Sequence, residues 1–370
     1  MSVTLPIQMY DPSRDYKLHK EELDLAIQTV VEKGSFINGP QVKELETVLS
    51  EYTGARAITC GNGTDALFVA LKALDIGPGD EVITVAFTWI SSAEVISMTG
   101  AMPVWCDIKE DSFCIDEDLI EGLITDKTKA IIGVSLYGNM PDYEKIQNIA
   151  KKHNIYVIED GAQSFGSVRD GNKSCSCKFS DIATTSFFPT KPLGCFGDGG
   201  CMFTNNVELG NKMHAIKNHG GAQRFKHAYI GMNSRLDTIQ ASVLLEKMKY
   251  FDTTLPLRDH IAKEYNRLLH DVIDVPCYDM EVCAWAQYGL ICHEGVDRDT
   301  VATKLKEEGV NVAIFYPVPL YKQECFSNAN NEPLPVTEKI SNRVLNLPCY
   351  SYVSCDEITH ITDTIKRILV

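Results

Sequence analysis

Between residues 55 and 159 the chain alternates short apolar runs with amphipathic stretches, and no other feature limits its possible folds as much. Residues 55–60, 81–85, 102–108, 130–136 and 155–159 read as strands. The intervening stretches 64–74, 88–99, 116–124 and 143–152 read as helices. Strands joined through helices need crossover connections, so the expected fold is α/β with a mainly parallel sheet. The strand runs are apolar on both faces, as when helices cover both sides of the sheet. Ahead of this region, Leu23, Ala26, Ile27, Val30 and Val31 share one helical face over 19–33, and Gly34 supplies a stop. A second helix starts at Pro40 and ends at Gly54.

Beyond Asp160 the pattern changes. Short strands at 182–188 and 201–204 flank a glycine-rich loop, and a long helical segment runs from 236 to 250 and on toward 267. A strand at 286–292 and helices at 300–308 and 338–345 follow, with a polar loop at 328–332. We therefore expect a large domain over 1–250, including the N-terminal helices, and a smaller C-terminal α+β domain over 251–370.

Charge excludes some partners. Fifty acidic and 35 basic residues give a net charge of −15, which opposes binding to nucleic acid or an anionic membrane surface. Glu94 interrupts the longest apolar run, and the first residues lack the basic-then-apolar pattern of a secretory signal, so neither a membrane span nor export is expected. The 13 cysteines then read as reduced, mostly buried thiols. Cys175 and Cys177 form a C-x-C pair, but zinc sites space such pairs more widely and need two further ligands, so no metal is expected.

Three local features carry chemistry. Gly61-Asn62-Gly63-Thr64-Asp65 joins a strand to a helix, where backbone N–H groups and the helix N-terminus favour an anion. The same residues could form only a tight turn capped by Thr64. Asp160 ends an apolar strand at the edge where open α/β sheets bind ligands, although it could also cap the next turn. Lys191 sits between Pro189 and Pro192 after an apolar strand, on an extended loop, and a lysine held there rather than in solvent has a role. Together, a phosphate cradle, a strand-end aspartate and a loop lysine in that order fit a pyridoxal phosphate site. That cofactor needs a lysine, an acidic partner for its ring nitrogen, and phosphate donors.

At this resolution of motif the chain resembles the sugar aminotransferases of the DegT/DnrJ/EryC1/StrS family, which have the fold type I (aspartate aminotransferase-like) architecture. The resemblance spans nearly the whole sequence. It rests on Phe36 to Pro40, Gly63 to Leu67, Gly77 to Ile83, Glu159 to Gln163, Ser186 to Gly194, Gly197 to Gly200 and Asn233 to Asp237. Within the family, Val134 to Gly138, Ser164 to Gly166 and Ser186 to Pro189 are most like the 3-aminotransferases of UDP-2-acetamido-2-deoxy-3-oxo-glucuronate.

The resemblance implies Lys191 as the Schiff-base lysine, Asp160 as the partner of the pyridinium nitrogen and Gln163 beside the ring hydroxyl. Where the family usually has alanine after the aspartate, this chain has Gly161, a change expected to be mild. By the same likeness Thr64, Ser186 and the N–H groups of Gly63 and Asp65 hold the phosphate, Trp89 stacks on the cofactor, and Asn233 reaches the phosphate of a partner subunit. Trp89 could instead be a core side chain. Arg235 and Tyr316 match substrate-contacting positions, and His219 and Arg224 are further basic candidates on a glycine-containing loop. Phe315 departs from the histidine often found before the tyrosine in uronate-specific relatives.

The implied enzyme is a cytoplasmic homodimer with shared active sites. It moves an amino group from glutamate to C3 of the UDP-linked 3-keto-uronate, for O-antigen lipopolysaccharide synthesis. The alternative is C4 amination of a UDP-4-keto-6-deoxy sugar. A dehydratase is disfavoured, because such relatives replace the lysine with histidine, and a non-catalytic regulator should leave gaps in the set of catalytic residues. Among thiols expected to be reduced and structural, Cys195, close after Lys191, is the one to test for reactivity.

Overall fold

A computed structural model describes residues 4–223, 225–327 and 332–369. Its centre is a seven-stranded sheet: β1 (Arg56–Cys60), β2 (Glu81–Val85), β3 (Met102–Cys106), β4 (Thr128–Val134), β5 (Tyr156–Asp160), β6 (Ile182–Ser186) and β7 (Gly200–Thr204). The spatial order is β1-β7-β6-β5-β4-β2-β3. Strands β2 to β6 pair in parallel, and β7 runs antiparallel to both β1 and β6. The mainly parallel sheet is thus present, with one reversed strand, β7, second from the β1 edge.

That register sets up a working edge. Parallel strands end on the same side, so Cys60, Val85, Val134, Asp160 and Ser186 finish together. The reversed β7 starts there, with Gly200 opposite both Cys60 and Ser186. Asp160 lies opposite Val134 and Thr184.

Helices α1 (Pro12–Leu18), α2 (Lys20–Lys33), α3 (Pro40–Thr53), α4 (Gly63–Ala73), α5 (Ser91–Thr99), α6 (Glu117–Leu123), α7 (Tyr143–His153), α8 (Val207–Ile216) and α9 (Thr238–Met248) surround the sheet. The sheet strands are buried on both faces, with Ile83, Ile131, Ile132 and Ile158 fully inside. Then come α10 (Phe251–Leu269), β8 (Tyr288–Ile291), α11 (Arg298–Glu307), α12 (Pro335–Arg343), β9 (Val344–Leu347) and α13 (Cys355–Leu369), with β8 and β9 pairing antiparallel. Phe251 and Leu255 of α10 pack with Phe165, Phe187 and Phe203. Ile261, Tyr265 and Leu269 of the same helix pack instead with Tyr288, Leu305, Ile361 and Ile365, and Ile7 joins them from the N-terminus.

Several sequence expectations change in detail. The helix read at 338–345 stops at Arg343, and the next four residues pair with β8 as a strand. Helices α1, α8 and α13 were not read from the sequence, although Ile358, Ile361 and Ile365 make a regular buried stripe. The long segment after 236 is two helices, α9 and α10. Residues 328–331 of the polar loop lie outside the described residues. Among the described residues, no helix is long and apolar enough to cross a membrane. No group of three or more His, Cys, Asp or Glu is poised to hold a metal there. The C-x-C thiols turn to backbone carbonyls: Cys175 Sγ to Thr184 and Cys177 Sγ to Cys175.

Candidate active site

The parallel edge brings the three chemical features together. At the end of β1, Asn62 caps α4 and its Oδ1 accepts the Asp65 N–H at 2.8 Å. Asp65 N–H was expected to face a phosphate; Asn62 takes it, which leaves the helix-start N–H groups of Gly63 and Thr64. Gly63 has no room for a side chain, since a β-carbon there would stand 2.8 Å from Ser186 Cβ. That close approach sets the first turn of α4 against the Ser186 hydroxyl at the end of β6. Thr64 Oγ1 and Ser91 Oγ share a hydrogen bond of 2.6 Å. Three hydroxyls and a helix N-terminus therefore converge, a donor set suited to a phosphate group.

Asp160 is buried at the end of β5. Its carboxylate accepts from Ser92 Oγ at 2.7 Å and from Ala162 N–H at 3.2 Å. The turn-capping role considered from sequence is thus real, and it leaves the carboxylate in the cleft. Burial pushes the Asp160 carboxyl above its ordinary range, opposed by Ser92, the Ala162 N–H and the charge of Lys191. The Lys191 ammonium is pulled down to about 8, because desolvation outweighs the attraction of Asp160. Each is an unfavourable charge to bury alone, and each lies within electrostatic reach of the other.

Gln163 is held at both ends. Its Oε1 accepts the Tyr137 N–H at 2.8 Å, and its Nε2 donates to the Tyr316 hydroxyl at 3.2 Å. Tyr316 packs edge-on against Phe87 and lies 6.4 Å, ring to ring, from Trp89. Trp89 is 59% exposed, so it is a surface aromatic over the cleft and not a core side chain. The described contacts thus join Asp160, Lys191, Gln163, Tyr316, Trp89, Gly63, Thr64 and Ser186 in one site. Ser91, Ser92, Tyr137 and Phe87 belong to it and were not foreseen. A serine pair at a helix start reads in sequence as a cap, and nothing local marks it as a ligand to a distant aspartate.

The other candidates lie to one side. Ser234 Oγ accepts the Gly61 N–H at 3.0 Å, which ties the 233–235 segment to the phosphate turn. Arg235 next to it has its Nε buried without a hydrogen-bond partner. Asn233 is exposed and pairs across a backbone bridge with Asn218. His219 is exposed, its N–H bonded to Met232 O and its carbonyl to His227 Nδ1. Among the described residues, no hydrogen bond, ion pair or ring contact links Asn233 or His219 to Asp160 or Lys191. Arg224 lies outside the described residues. Cys195, the thiol singled out for a reactivity test, is buried. Its thiol donates to the carbonyls of Phe187 and Gly197, and burial pushes its pKa up to about 11. A thiol held protonated in this way is a poor nucleophile.

The residues fit pyridoxal phosphate: an amine with a lowered pKa, a buried carboxylate, and a cradle that a single β-carbon at Gly63 would fill. Comparison with known proteins agrees. The family model for DegT/DnrJ/EryC1/StrS aminotransferases matches residues 17–366. The chain is 43% identical to a UDP-2-acetamido-2-deoxy-3-oxo-D-glucuronate aminotransferase of Pseudomonas aeruginosa, over 95% of this chain and 97% of the relative. It is 39% identical to a protein of Geobacillus stearothermophilus named as a pleiotropic regulatory protein, over 98% of each. It is 37% identical to a UDP-N-acetyl-3-dehydro-alpha-D-glucosamine 3-aminotransferase of Acidithiobacillus ferrooxidans, over the full length of both. A crystal structure of NtdA from Bacillus subtilis with bound cofactor PMP superposes with a TM-score of 0.92 at 31% identity, over 100% of this chain and 86% of that one. The chain belongs to the DegT/DnrJ/EryC1/StrS aminotransferase family and is a pyridoxal-phosphate-dependent aminotransferase.

Proposed function

We propose that this enzyme moves an amino group from glutamate to C3 of a UDP-linked 3-keto sugar, UDP-2-acetamido-2-deoxy-3-oxo-glucuronate. The product would enter bacterial surface polysaccharide (O-antigen) synthesis in the cytoplasm. The observation that carries the reading is that Lys191 and the buried Asp160 lie within electrostatic reach of each other, with Tyr316 held on Gln163 and the exposed Trp89 ring nearby. Two relatives whose names specify 3-oxo or 3-dehydro UDP-sugars support the substrate class.

The cofactor supplies an electron sink for the carbanion formed when the substrate loses its α-proton. Each residue then has a task. Asp160, steadied by Ser92, would keep the cofactor's ring nitrogen protonated. Gln163, fixed by Tyr137 and Tyr316, would offer its amide to the cofactor ring. Gly63, Thr64 and Ser186 would hold the phosphate. Lys191 Nζ would anchor the cofactor and, once free, move a proton at the substrate carbon. With its ammonium pulled down to about 8, far more of its amines are free near neutrality than in an ordinary lysine. That difference suits a general base near neutrality.

Arg235, with an unpaired Nε beside the phosphate turn, suits an anionic group of the nucleotide sugar. We place Asn233 and His219 against the site of a second subunit, in a homodimer. Large exposed apolar side chains on the same stretch, Phe225, Tyr229 and Ile230, support an interface there. We also propose that the large and small domains divide at the start of α10, whose apolar side chains split between two cores.

The test is turnover of the 3-keto-uronate, the 3-keto form of UDP-N-acetylglucosamine and a UDP-4-keto-6-deoxy sugar, each with glutamate. The proposal expects amination of the 3-keto-uronate. Turnover of the 4-keto sugar alone would move the reaction to C4. Silence with all three would favour a regulatory role.

A further inference from the structure

Strand β9 carries one polar side chain among apolar ones. Its Leu345 and Leu347 lie in the core around Tyr265 and Tyr288, so alternation puts Val344 and Asn346 on the other face of the strand. On that face Val344 joins the large core that contains Tyr137. Asn346 is fully buried. A leucine or valine would fill such a position without the cost of desolvating an amide.

The bonds of Asn346 point to a task that offsets this cost. Its backbone N–H donates to the Ala313 carbonyl at 2.8 Å, and its carbonyl accepts the Ala313 N–H at 3.1 Å. Its Oδ1 accepts the Phe315 N–H at 2.9 Å. Its Nδ2 is buried without a hydrogen-bond partner, although the amide is close enough to the Tyr137 hydroxyl to affect its ionisation. The Tyr137 hydroxyl donates to the Phe315 carbonyl. Phe315 is thus held at both its N–H and its carbonyl. The Tyr137 ring is seated against Gly289, the residue opposite Asn346 in β8, where a β-carbon would stand 2.8 Å from Tyr137 Cε2. Through its N–H, Tyr137 also holds Gln163, which in turn donates to the Tyr316 hydroxyl. These bonds close a ring through the chain link from Phe315 to Tyr316, and Asn346 grips that ring from β9.

We propose that Asn346 and the Tyr137 side chain are positioning residues of the reaction. They fix the Phe315 backbone and through it hold Tyr316 on Gln163, which steadies the Gln163 amide for the cofactor ring. The inference rests on the reading of Gln163 given above and is independent of which sugar the enzyme aminates.

Titration of the bound cofactor's visible absorbance against pH reads the hydrogen bonding at its ring. Gln163→Leu sets the reference shift. Asn346→Leu and Tyr137→Phe should move the midpoint in the same direction, each by roughly 0.3–1 unit, the worth of one hydrogen bond. Leu347→Ala, on the same strand but turned to the other core, should lose stability and leave the midpoint in place. Crystals of the Asn346→Leu and Tyr137→Phe holoenzymes should show the Tyr316 hydroxyl drawn off Gln163. If the Asn346 variant does not fold, Tyr137→Phe decides. A midpoint that Gln163→Leu shifts and Tyr137→Phe does not, or a Tyr316 hydroxyl still on Gln163 in the variants, would overturn the proposal. A midpoint that Gln163→Leu itself leaves in place, with Tyr316 displaced in the crystals, would count for the grip on Tyr316 and against the placement of Gln163 at the ring.

Discussion

Gly161 lies between the two residues assigned to the cofactor ring, and its missing side chain has a structural cause. A β-carbon there would stand 2.7 Å from Cys175 Sγ and 3.1 Å from both Ser174 Oγ and Thr184 O. Favourable heavy-atom contacts sit at about 3.5–4.0 Å, so Gly161→Ala forces the sulfur back by roughly 1 Å. The sulfur is fully buried, and its neighbour Ser174 is tied to Glu159 and Ser164. Overpacking of this kind costs about 1–3 kcal/mol. Cys175→Ala removes the obstructing atom, so the double variant should recover most of that loss. Equilibrium urea denaturation of the apoprotein, followed by both fluorescence and circular dichroism, gives the cycle. A coupling energy of about 1–3 kcal/mol in favour of the pair is expected. Losses that add within about 0.5 kcal/mol would refute the steric argument, and the family's usual alanine would then be absent for another reason.

Three further outcomes follow from the buried charges. The free amine of Lys191 captures pyridoxal phosphate, so the capture rate of the apoprotein should rise with pH and level off above about 8; a midpoint near 10.5 would contradict the desolvated site. Burial raises the Glu159 carboxyl to about 7, so the folded state binds more protons than the unfolded chain between its ordinary pKa and 7, and stability falls as pH rises through that window. Glu159→Gln should therefore escape a loss of up to about 3 kcal/mol on going from pH 5 to pH 8, measured by denaturation of both proteins at each pH. Ser92→Ala removes a hydrogen bond to the buried Asp160 carboxylate, worth about 1.5–3 kcal/mol, and should weaken retention of the cofactor by about tenfold or more in equilibrium dialysis.

The alternating region was legible because each apolar run is sandwiched between helices, and such runs need no tertiary information to be seen. Asp160 and Lys191 were legible for a related reason: a carboxylate ending an apolar strand and a lysine between two prolines are odd where they stand. The partners that tune them were not. Ser92 reaches Asp160 across 68 positions of chain, and Tyr137 reaches Gln163 through a backbone N–H that any residue could supply. The phosphate turn was recognisable, but the distribution of its donors depended on Asn62, whose side chain captures the Asp65 N–H. Strand β9 was hidden because Val344–Leu347 follows α12 without a glycine or proline to mark the change.

The central claim is that Lys191, with Asp160, runs an amino transfer onto C3 of a UDP-linked keto sugar. Holoenzyme incubated with [15N]glutamate and UDP-2-acetamido-2-deoxy-3-oxo-glucuronate, with the product examined by mass spectrometry and NMR, tests it directly. One 15N atom should appear on C3, matched by one 2-oxoglutarate, and Lys191→Ala should yield none. A sugar without the label, a label on C4, or undiminished labelling by the Lys191→Ala enzyme would contradict it.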